Sequence, residues 1–151
     1  MGAHIGCICK IRLMNETMNP NLIIRRLEKS DAQAVHALQR SLFPGDVNSL
    51  TIDEFAAVDG SGGVNVLVAE LSEAITGFLV LRNRGVRPWT GIDFVGVSAI
   101  ASGQGIGTKL LEAAVHISPR PFLRLFVRPS NSAARALYLR SGFHHTGTRK
   151  A

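Results

Sequence analysis

The sequence predicts an α/β domain, more narrowly an α+β domain, in which helices pack on a mixed β-sheet. Strand-like and amphipathic helical segments follow one another in the order β-α-α-β-β-β-α-β-α-β. Links without helices join the central strands, and crossover helices separate the later ones, which is typical of a mixed sheet covered by helices. The 151 residues, 46% of them hydrophobic, are enough for a single sizeable core.

The first half of the chain predicts one strand and two helices. Residues 22–27, LIIRRL, have the character of a strand. Ser30 and Gln33 fit a capping box, and apolar residues then recur at helical spacing. Thr51 and Glu54 fit a second capping box, which predicts a short helix directly after it.

The second half predicts four strands and two helices before a final strand-like segment, FHHTGTRKA. A hairpin-length LSE joins the first two of these strands, whereas the connection NRGVRPWT to the third is longer and basic. Asn131 is a favourable start and Gly142 a favourable end for the last helix. The predicted strands are 64–70, 74–82, 91–98 and 121–128, and the predicted helices are 108–117 and 131–142.

The N-terminal residues show no pattern that assigns them to the domain. Met14 and Met18 lie just before the first patterned segment, so we interpret residues 1–20 as a poorly ordered extension and 21–151 as one domain. No segment approaches the roughly 20 apolar residues of a transmembrane helix. Cys7 and Cys9 are too close together to staple a fold, and they lack the remaining ligands of a zinc site. We therefore expect a cytoplasmic protein with reduced thiols, no metal and no membrane contact.

The charge of the chain suits an anionic partner. A net charge of +6 is compatible with a nucleotide, a nucleic acid or an acidic surface, and it does not choose among them. A nucleic-acid binder is disfavoured, because the basic residues are scattered along the chain and aromatic residues make up only 6% of it. The interleaving of basic and aromatic residues expected of a base-stacking platform is missing.

Three glycines at alternate positions precede the first crossover helix. Gly103, Gly105 and Gly107 each cost backbone entropy on folding, so their repetition favours close approach of a ligand to the backbone. The start of the helix supplies unpaired N–H groups and a positive dipole end. This pattern predicts a cradle for phosphates, with a tight turn as the alternative. A dinucleotide-binding fingerprint would need glycine at Thr108, and Gly107-Thr108-Lys109 does not have the order of a P-loop.

Asn131 and Tyr138 form a second constellation. They are seven residues apart, which places them two helical turns and roughly 10 Å from one another on one face. Ala134 lies between them, so the pattern predicts a contact surface for a slender ligand. The alternative is that Asn131 is a helix N-cap and Tyr138 a half-buried packing residue.

These two segments resemble the GCN5-related N-acetyltransferase (GNAT) family. GQGIGTKLLEAAV is similar to its acyl-CoA pyrophosphate loop, Gln/Arg-x-x-Gly-x-Gly/Ala, and NSAARALYLRSGF matches its later motif, Asn-x-x-Ala-x-x-Leu-Tyr-x-x-x-Gly-Phe. The resemblance covers about residues 22–149 and is closest to the N-terminal acetyltransferases of the ribosomal-protein-alanine type. It implies a mostly antiparallel sheet whose last strand or strands are short or missing here. Ser102 stands where the family has a long donor, and Phe126 where the ribosomal type has a glutamate.

The resemblance implies that acetyl-CoA is bound as a co-substrate. The main chain of the strand GIDFVGVS would hold the pantetheine arm, with Gly96 permitting close approach, and Asn131 would hydrogen-bond the same arm. The glycine loop and the helix start would hold the pyrophosphate. The residues implied in binding acetyl-CoA are Val95, Gly96, Val97, Ser102, Gly103, Gln104, Gly105, Ile106, Gly107, Thr108 and Asn131.

The implied reaction is direct transfer of the acetyl group to a primary amine of a small molecule, protein or peptide. Tyr138 would protonate the leaving thiolate as a general acid. Asp93 is the candidate general base, because regular alternation puts it on the same strand face as Val95 and Val97. Deprotonation of the amine through water is one alternative. A contribution from either His144 or His145 is another, and at most one of them would act, because adjacent strand residues point to opposite faces.

Two further expectations concern function class and assembly. A non-catalytic acyl-CoA-binding or interaction module of the same fold is the rival interpretation, which the Asn131 and Tyr138 pair disfavours. A missing last strand would leave a sheet edge without a partner, so we expect self-association, for example as a homodimer.

Overall fold

The computed structural model describes residues 2–8 and 19–149, with side chains for 19–147. Short 3-10 turns, Lys29–Asp31 and Ala99–Ala101, precede two of its helices. The order of elements from residue 22 onwards is the predicted one. The strands are β1 (Gly2–Ile8), β2 (Leu22–Arg26), β3 (Val64–Leu71), β4 (Ala74–Arg82), β5 (Trp89–Val97), β6 (Phe122–Val127) and β7 (Phe143–Arg149). The α-helices are α1 (Ala32–Leu42), α2 (Ile52–Ala56), α3 (Ile106–Ile117) and α4 (Ser132–Arg140).

The strands form one mixed, mostly antiparallel sheet in the order β2-β3-β4-β5-β6-β1-β7, which confirms the predicted fold class. The pairing of β5 with β6 is parallel, and the other pairs are antiparallel. The ladder between β5 and β6 runs from the pair Trp89 and Phe122 to the pair Ile92 and Leu125 and ends there. The sheet therefore opens between the C-terminal halves of these two strands.

The structure differs from the sequence-based expectation at the N-terminus. Residues 1–20 were expected to be a poorly ordered extension, but Gly2–Ile8 forms β1, antiparallel to both β6 and β7. The alternation of Ala3, Ile5 and Cys7 in GAHIGCI is a period-two strand pattern. No strand follows β7 among the residues that the structure describes, and the place beside β6 is taken by β1.

Two cores cover the two faces of the sheet. The alternation of β4 puts Leu79 and Leu81 on one face, where they pack with Leu110 of α3. Phe78 and Val80 lie on the other face and pack with residues of α1 and α2. Truncating one of these buried side chains to alanine costs about 2–5 kcal/mol of stability.

The capping box before α1 begins two residues earlier than predicted, at the 3-10 turn that precedes the helix. The expected box of Ser30 and Gln33 is not formed, because Glu28 and Asp31 form it instead, with the Glu28 amide donating to Asp31 Oδ2 at 2.7 Å. Arg25 donates to both carboxylate oxygens of Asp31, at 2.7 and 3.0 Å, and lowers the pKa of that carboxyl group.

The second predicted capping box is confirmed and helps to place the segment between α1 and α2. The Glu54 amide donates to Thr51 Oγ1 at 3.1 Å, and the Thr51 amide to Glu54 Oε1 at 3.3 Å. The fully buried amide of Gln39 accepts from the Leu50 N–H and donates to the Leu50 carbonyl. These bonds fix residues 43–50 beside β5, where they border the site described next.

Candidate active site

Two of the three glycines before α3 adopt backbone conformations that other residues rarely take. Gly103 has φ +79° and Gly105 has φ +76°, both in the left-handed region. A Cβ atom built on either residue would have no atom within 4 Å. These glycines are therefore required by the turn itself, and the space over the turn is open to a ligand.

Gly107 and Gly96 each have a packing role, because a side chain at either position would overlap a neighbouring side chain. A Cβ on Gly107 would lie 3.0 Å from Leu137 Cδ2, so the glycine lets α3 lie close to α4. A Cβ on Gly96 would lie 2.8 Å from Leu42 Cδ1 and 2.9 Å from Phe43 Cε2. Its missing side chain makes room for the end of α1.

The first turn of α3 presents main-chain donors beside the glycine turn. Lys109 N–H is the first to bond within the helix, to the Gly105 carbonyl at 3.1 Å. The N–H groups of the three preceding residues, 106–108, thus point out of the helix end together with its positive dipole. Ser102 adds no donor in this geometry, because its hydroxyl donates to the Ala99 carbonyl at 2.9 Å. The side chain of Gln104 is exposed.

Residues Val95–Val97 offer a free strand edge. On one side they pair with Gly77–Leu79 of β4. On the other side the β6 ladder has already ended at Ile92, and no other described strand pairs there. Main-chain groups of an antiparallel strand alternate between its two edges. The second edge of β5 therefore faces the opening in the sheet, as a pantetheine-binding strand would require.

Asn131 and Tyr138 have the structural roles given as the alternative interpretation, and each also keeps a polar group without a hydrogen bond to the described residues. Asn131 is the N-cap of α4, with its Oδ1 accepting from the Ala134 amide at 3.1 Å, and its Nδ2 group has no partner among the described residues. Tyr138 is 8% exposed and packs against Phe143 with ring centroids 5.8 Å apart. Burial raises the pKa of Tyr138 to about 12. Its hydroxyl forms no hydrogen bond within the described part of the chain.

A β-bulge moves Asp93 away from the predicted face. Val80 and Leu81 of β4 pair with Phe94 and Ile92, so β5 has one extra residue at Asp93. Val95 and Val97 pack with the core under α3, whereas Asp93 contacts arginines on the opposite face. The prediction that Asp93 shares a face with Val95 and Val97 is wrong, because regular alternation stops at the bulge.

Asp93 is held by two arginines. Arg84 donates from both terminal nitrogens, at 2.9 and 2.8 Å, to the two carboxylate oxygens. Arg82 Nε lies 2.9 Å from Oδ2, but its N–H does not point at the carboxylate, so this contact is an ion pair without a well-formed hydrogen bond. The Asp93 side chain is 6% exposed. Taking a proton would break this ion pair, so the geometry favours a role for Asp93 in holding the arginines.

An arginine-rich cleft lies on the Asp93 face of the sheet, next to the opening between β5 and β6. Its volume is about 590 Å³. It was not predicted, because its basic residues are scattered in sequence and only the fold brings them together. Phe126 is part of the wall, where the glutamate of the ribosomal type would have stood. The cleft is lined by Val47, Asn48, Arg82, Arg84, Arg87, Trp89, Gly91, Ile92, Asp93, Arg124 and Phe126.

The described residues, 2–8 and 19–149, form neither a metal-ligand cluster nor a membrane-spanning helix. These residues contain no group of three or more histidine, cysteine, aspartate or glutamate side chains that could hold a metal ion. None of the helices in this part of the chain combines the length and the apolar character needed to cross a membrane.

Known proteins resemble the chain in sequence and in fold. The sequence model of the Acetyltransferase (GNAT) family matches residues 32–143. The 5-NmdU N-acetyltransferase of Pseudomonas phage PaMx11 is 29% identical over 127 residues, which are 83% of this chain and 89% of the relative.

Solved structures with the same fold include two acetyltransferases. AAC(6')-Iy in complex with the bisubstrate analog CoA-S-monomethyl-acetylneamine has a TM-score of 0.68 and 15% identity, covering 86% of this chain and 94% of that one. The ribosomal-protein-alanine N-acetyltransferase of Brucella melitensis biovar Abortus 2308 has a TM-score of 0.65 and 16% identity, covering 86% and 97%.

Proposed function

This chain belongs to the acetyltransferase (GNAT) family, and from that premise we propose that it transfers the acetyl group of acetyl-CoA directly to a primary amine. The observation that carries the proposal is the open, left-handed glycine turn at the start of α3, beside the opening between β5 and β6. Membership of the family favours an enzyme over the non-catalytic module of the same fold.

The donor set around the opening fits acetyl-CoA, which supplies an activated acetyl thioester. The turn of Gly103 and Gly105, with the N–H groups of 106–108, would hold the pyrophosphate. The free edge of Val95–Val97 and the Nδ2 group of Asn131 would bind the pantetheine arm. A main-chain N–H of this edge would polarise the thioester carbonyl. Solved relatives bound to CoA or a CoA-containing analog support this assignment.

Tyr138 acts as the general acid in this proposal. The reaction forms one N–C bond and breaks one C–S bond, and it moves one proton off the amine and one onto the sulfur. Burial, which raises the pKa of Tyr138 to about 12, keeps the hydroxyl protonated throughout the neutral range. The hydroxyl donates its proton to the leaving sulfur and regains one from solvent.

The proton of the amine leaves through water in this scheme. Both oxygens of Asp93 already contact guanidinium groups, so using them as a base would cost an ion pair. The assignment of Asp93 as general base stays a prediction that substitution can test. Water reaches the amine through the cleft, because Arg84 at its edge is half exposed.

The acceptor is tested with a panel of amines in the presence of acetyl-CoA, with release of free thiol and product mass as readouts. The panel includes small primary amines, peptide N-termini and 5-NmdU, the compound named in the phage relative. Binding of acetyl-CoA is measured separately by thermal shift. An acetyl-CoA concentration of about a hundred times Kd should stabilise the protein by about 2.7 kcal/mol. Binding without transfer to any amine would favour the non-catalytic module, and an unchanged melting temperature would contradict the proposed cradle.

A further inference from the structure

We infer that the arginine-rich cleft selects amine acceptors that carry a phosphate group. This inference rests on the proposed function, because it names the acceptor class of the same site. Four guanidinium groups face a single carboxylate across the cleft. Such an excess of positive charge in a concave site attracts an anionic ligand.

Two of the four arginines contact a carboxylate, and the other two, called the unsatisfied pair, do not. Arg82 and Arg84 contact Asp93. Arg87 and Arg124 have no carboxylate partner among the described residues. The pKa of Arg124 is lowered, first by partial burial and second by the nearby charge of Arg87. Two like charges are therefore held close together, and no carboxylate among the described residues neutralises them.

Trp89 orients the unsatisfied pair. The Cζ atom of Arg124 lies 3.9 Å from the centroid of the indole ring, and that of Arg87 lies 5.4 Å from it. A guanidinium that rests on an aromatic face keeps its N–H donors in its own plane. Those donors remain available for the paired hydrogen bonds that guanidinium groups form with phosphate oxygens.

The loop that carries Arg84 and Arg87 is fixed in place. Arg120 donates to the Gly85 carbonyl at 2.7 Å and to the Trp89 carbonyl at 2.9 Å. The Phe122 amide donates to the Pro88 carbonyl at 3.2 Å, which joins the same loop to the start of β6. A charged loop that is ordered before binding loses less conformational entropy when its ligand arrives. The cleft is therefore a preorganised anion site.

Phosphate fits the cleft better than a single carboxylate does, because its oxygens can accept from two guanidinium groups at once. The phosphate could belong to a small phosphorylated amine or to the backbone of a nucleic acid that carries an amine. Scattered basic residues were one of the two reasons to disfavour nucleic acid. The cleft removes that reason, because it gathers Arg82, Arg84, Arg87 and Arg124.

The test compares matched acceptors. Ethanolamine is compared with O-phosphorylethanolamine, longer amino alcohols with their phosphate esters, and an amine-bearing nucleoside with an oligonucleotide carrying the same base. We expect kcat/KM to favour the phosphate-bearing partner by about tenfold or more in at least one pair. Arg124→Gln and Arg87→Gln should each reduce that preference by about fivefold or more. Arg40→Gln is the matched control, since Arg40 is exposed on α1 outside the cleft and carries the same charge.

The same experiment separates the two sources of phosphate. A preference confined to the small esters identifies a phosphorylated metabolite-sized amine. A preference for the oligonucleotide should weaken with salt, and each cleft arginine removed should lower the slope of log affinity against log salt by about one.

Failure of the inference is distinguishable from failure of the proposed function. Equal use of every matched pair by the unmodified enzyme would overturn the phosphate inference and leave acetyl transfer intact. If no amine is acetylated, the phosphate inference is tested by binding alone. Calorimetry then measures binding of O-phosphorylethanolamine and of the oligonucleotide to CoA-saturated protein. Binding that weakens in Arg124→Gln or Arg87→Gln, but not in Arg40→Gln, supports the inference, and absence of binding overturns it. The exposed loop position of Arg87 keeps the test valid if Arg124→Gln fails to fold.

Discussion

The opening has two sides: the proposed acetyl-CoA side, called the donor side, and the proposed amine side, called the acceptor side. The two sides use different parts of the polypeptide. The donor side consists of the glycine turn, the first turn of α3 and the edge of β5, and it presents mainly N–H and C=O groups. The acceptor cleft presents side chains, four of them arginines, from β4, β5, β6 and the loop between β4 and β5. The comparison indicates that backbone conformation limits which residues can be substituted on the donor side. On the acceptor side, the charge of the side chains sets that limit.

The largest effect should come from Tyr138 of α4, the proposed general acid. Tyr138→Phe keeps the ring packed on Phe143 but removes the hydroxyl, so kcat should fall by about 10²–10⁴, roughly 3–5 kcal/mol of barrier. Affinity for acetyl-CoA should change little. Steady-state kinetics with the identified acceptor measure both quantities.

Asn131→Ala is the matched comparison for that variant. It should raise the KM for acetyl-CoA more than it lowers kcat, because the contact to the pantetheine arm is present in the ground and transition states alike. A Tyr138→Phe variant that turns over at the unmodified rate, with chemistry rate-limiting, would exclude the tyrosine as the acid.

Next in size is the effect of alkaline pH on folding. The folded-state pKa of about 12 for Tyr138 exceeds the unfolded value of about 10, so its contribution is fully present below pH 10. Stability should then fall by roughly 3 kcal/mol as pH rises through the folded value, relative to Tyr138→Phe. Urea unfolding of both proteins from about pH 9 to about pH 12 measures this difference. Because the chain has one tyrosine, its tyrosinate absorbance reports the same titration, and a midpoint near 10 would contradict burial of the hydroxyl.

Two glycines sharpen the comparison within the donor side. Gly107→Val should destabilise the fold by about 1–3 kcal/mol, since the new side chain overlaps Leu137. Gly105→Ala should cost about 1–2 kcal/mol, because φ +76° disfavours a Cβ atom. Acetyl-CoA affinity should fall in Gly105→Ala and be retained in folded Gly107→Val. Calorimetry measures the acetyl-CoA affinity of each variant, and thermal melting measures its stability. Equal losses of affinity in the two variants would mean that both glycines face the ligand.

The smallest effect is expected on the acceptor side, at Asp93. Asp93→Asn removes the charge that Arg84 and Arg82 contact, and it should cost about 1–2 kcal/mol of stability, since Arg84 is half exposed. Turnover should stay within about threefold of the unmodified rate if water takes the proton of the amine. A fall in kcat of about a hundredfold or more would instead identify Asp93 as the general base.

The glycine turn before α3 and the N-cap of α4 could be predicted from the sequence, because both depend on local backbone conformation. Left-handed turns call for glycine, and a helix start calls for a capping residue, so Gly103, Gly105 and Asn131 could be recognised from short stretches. The acceptor cleft could not be recognised, because its arginines converge only after β4, β5 and β6 have paired. Asp93 was placed on the wrong face because a β-bulge shifts alternation by one residue, and the sequence carries no separate mark of that bulge.

The position of β1 has a consequence for synthesis of the chain. Ala3 pairs with Val127 on one side and with Thr148 on the other, so the first strand to leave the ribosome is completed by strands made last. At about 5–20 residues per second, β1 waits on the order of ten seconds for both neighbours. Until β6 and β7 emerge, both edges of β1 lack their partners and could pair with a second nascent chain. Co-translational folding of this protein should therefore include a late step in which β1 pairs with β6 and β7.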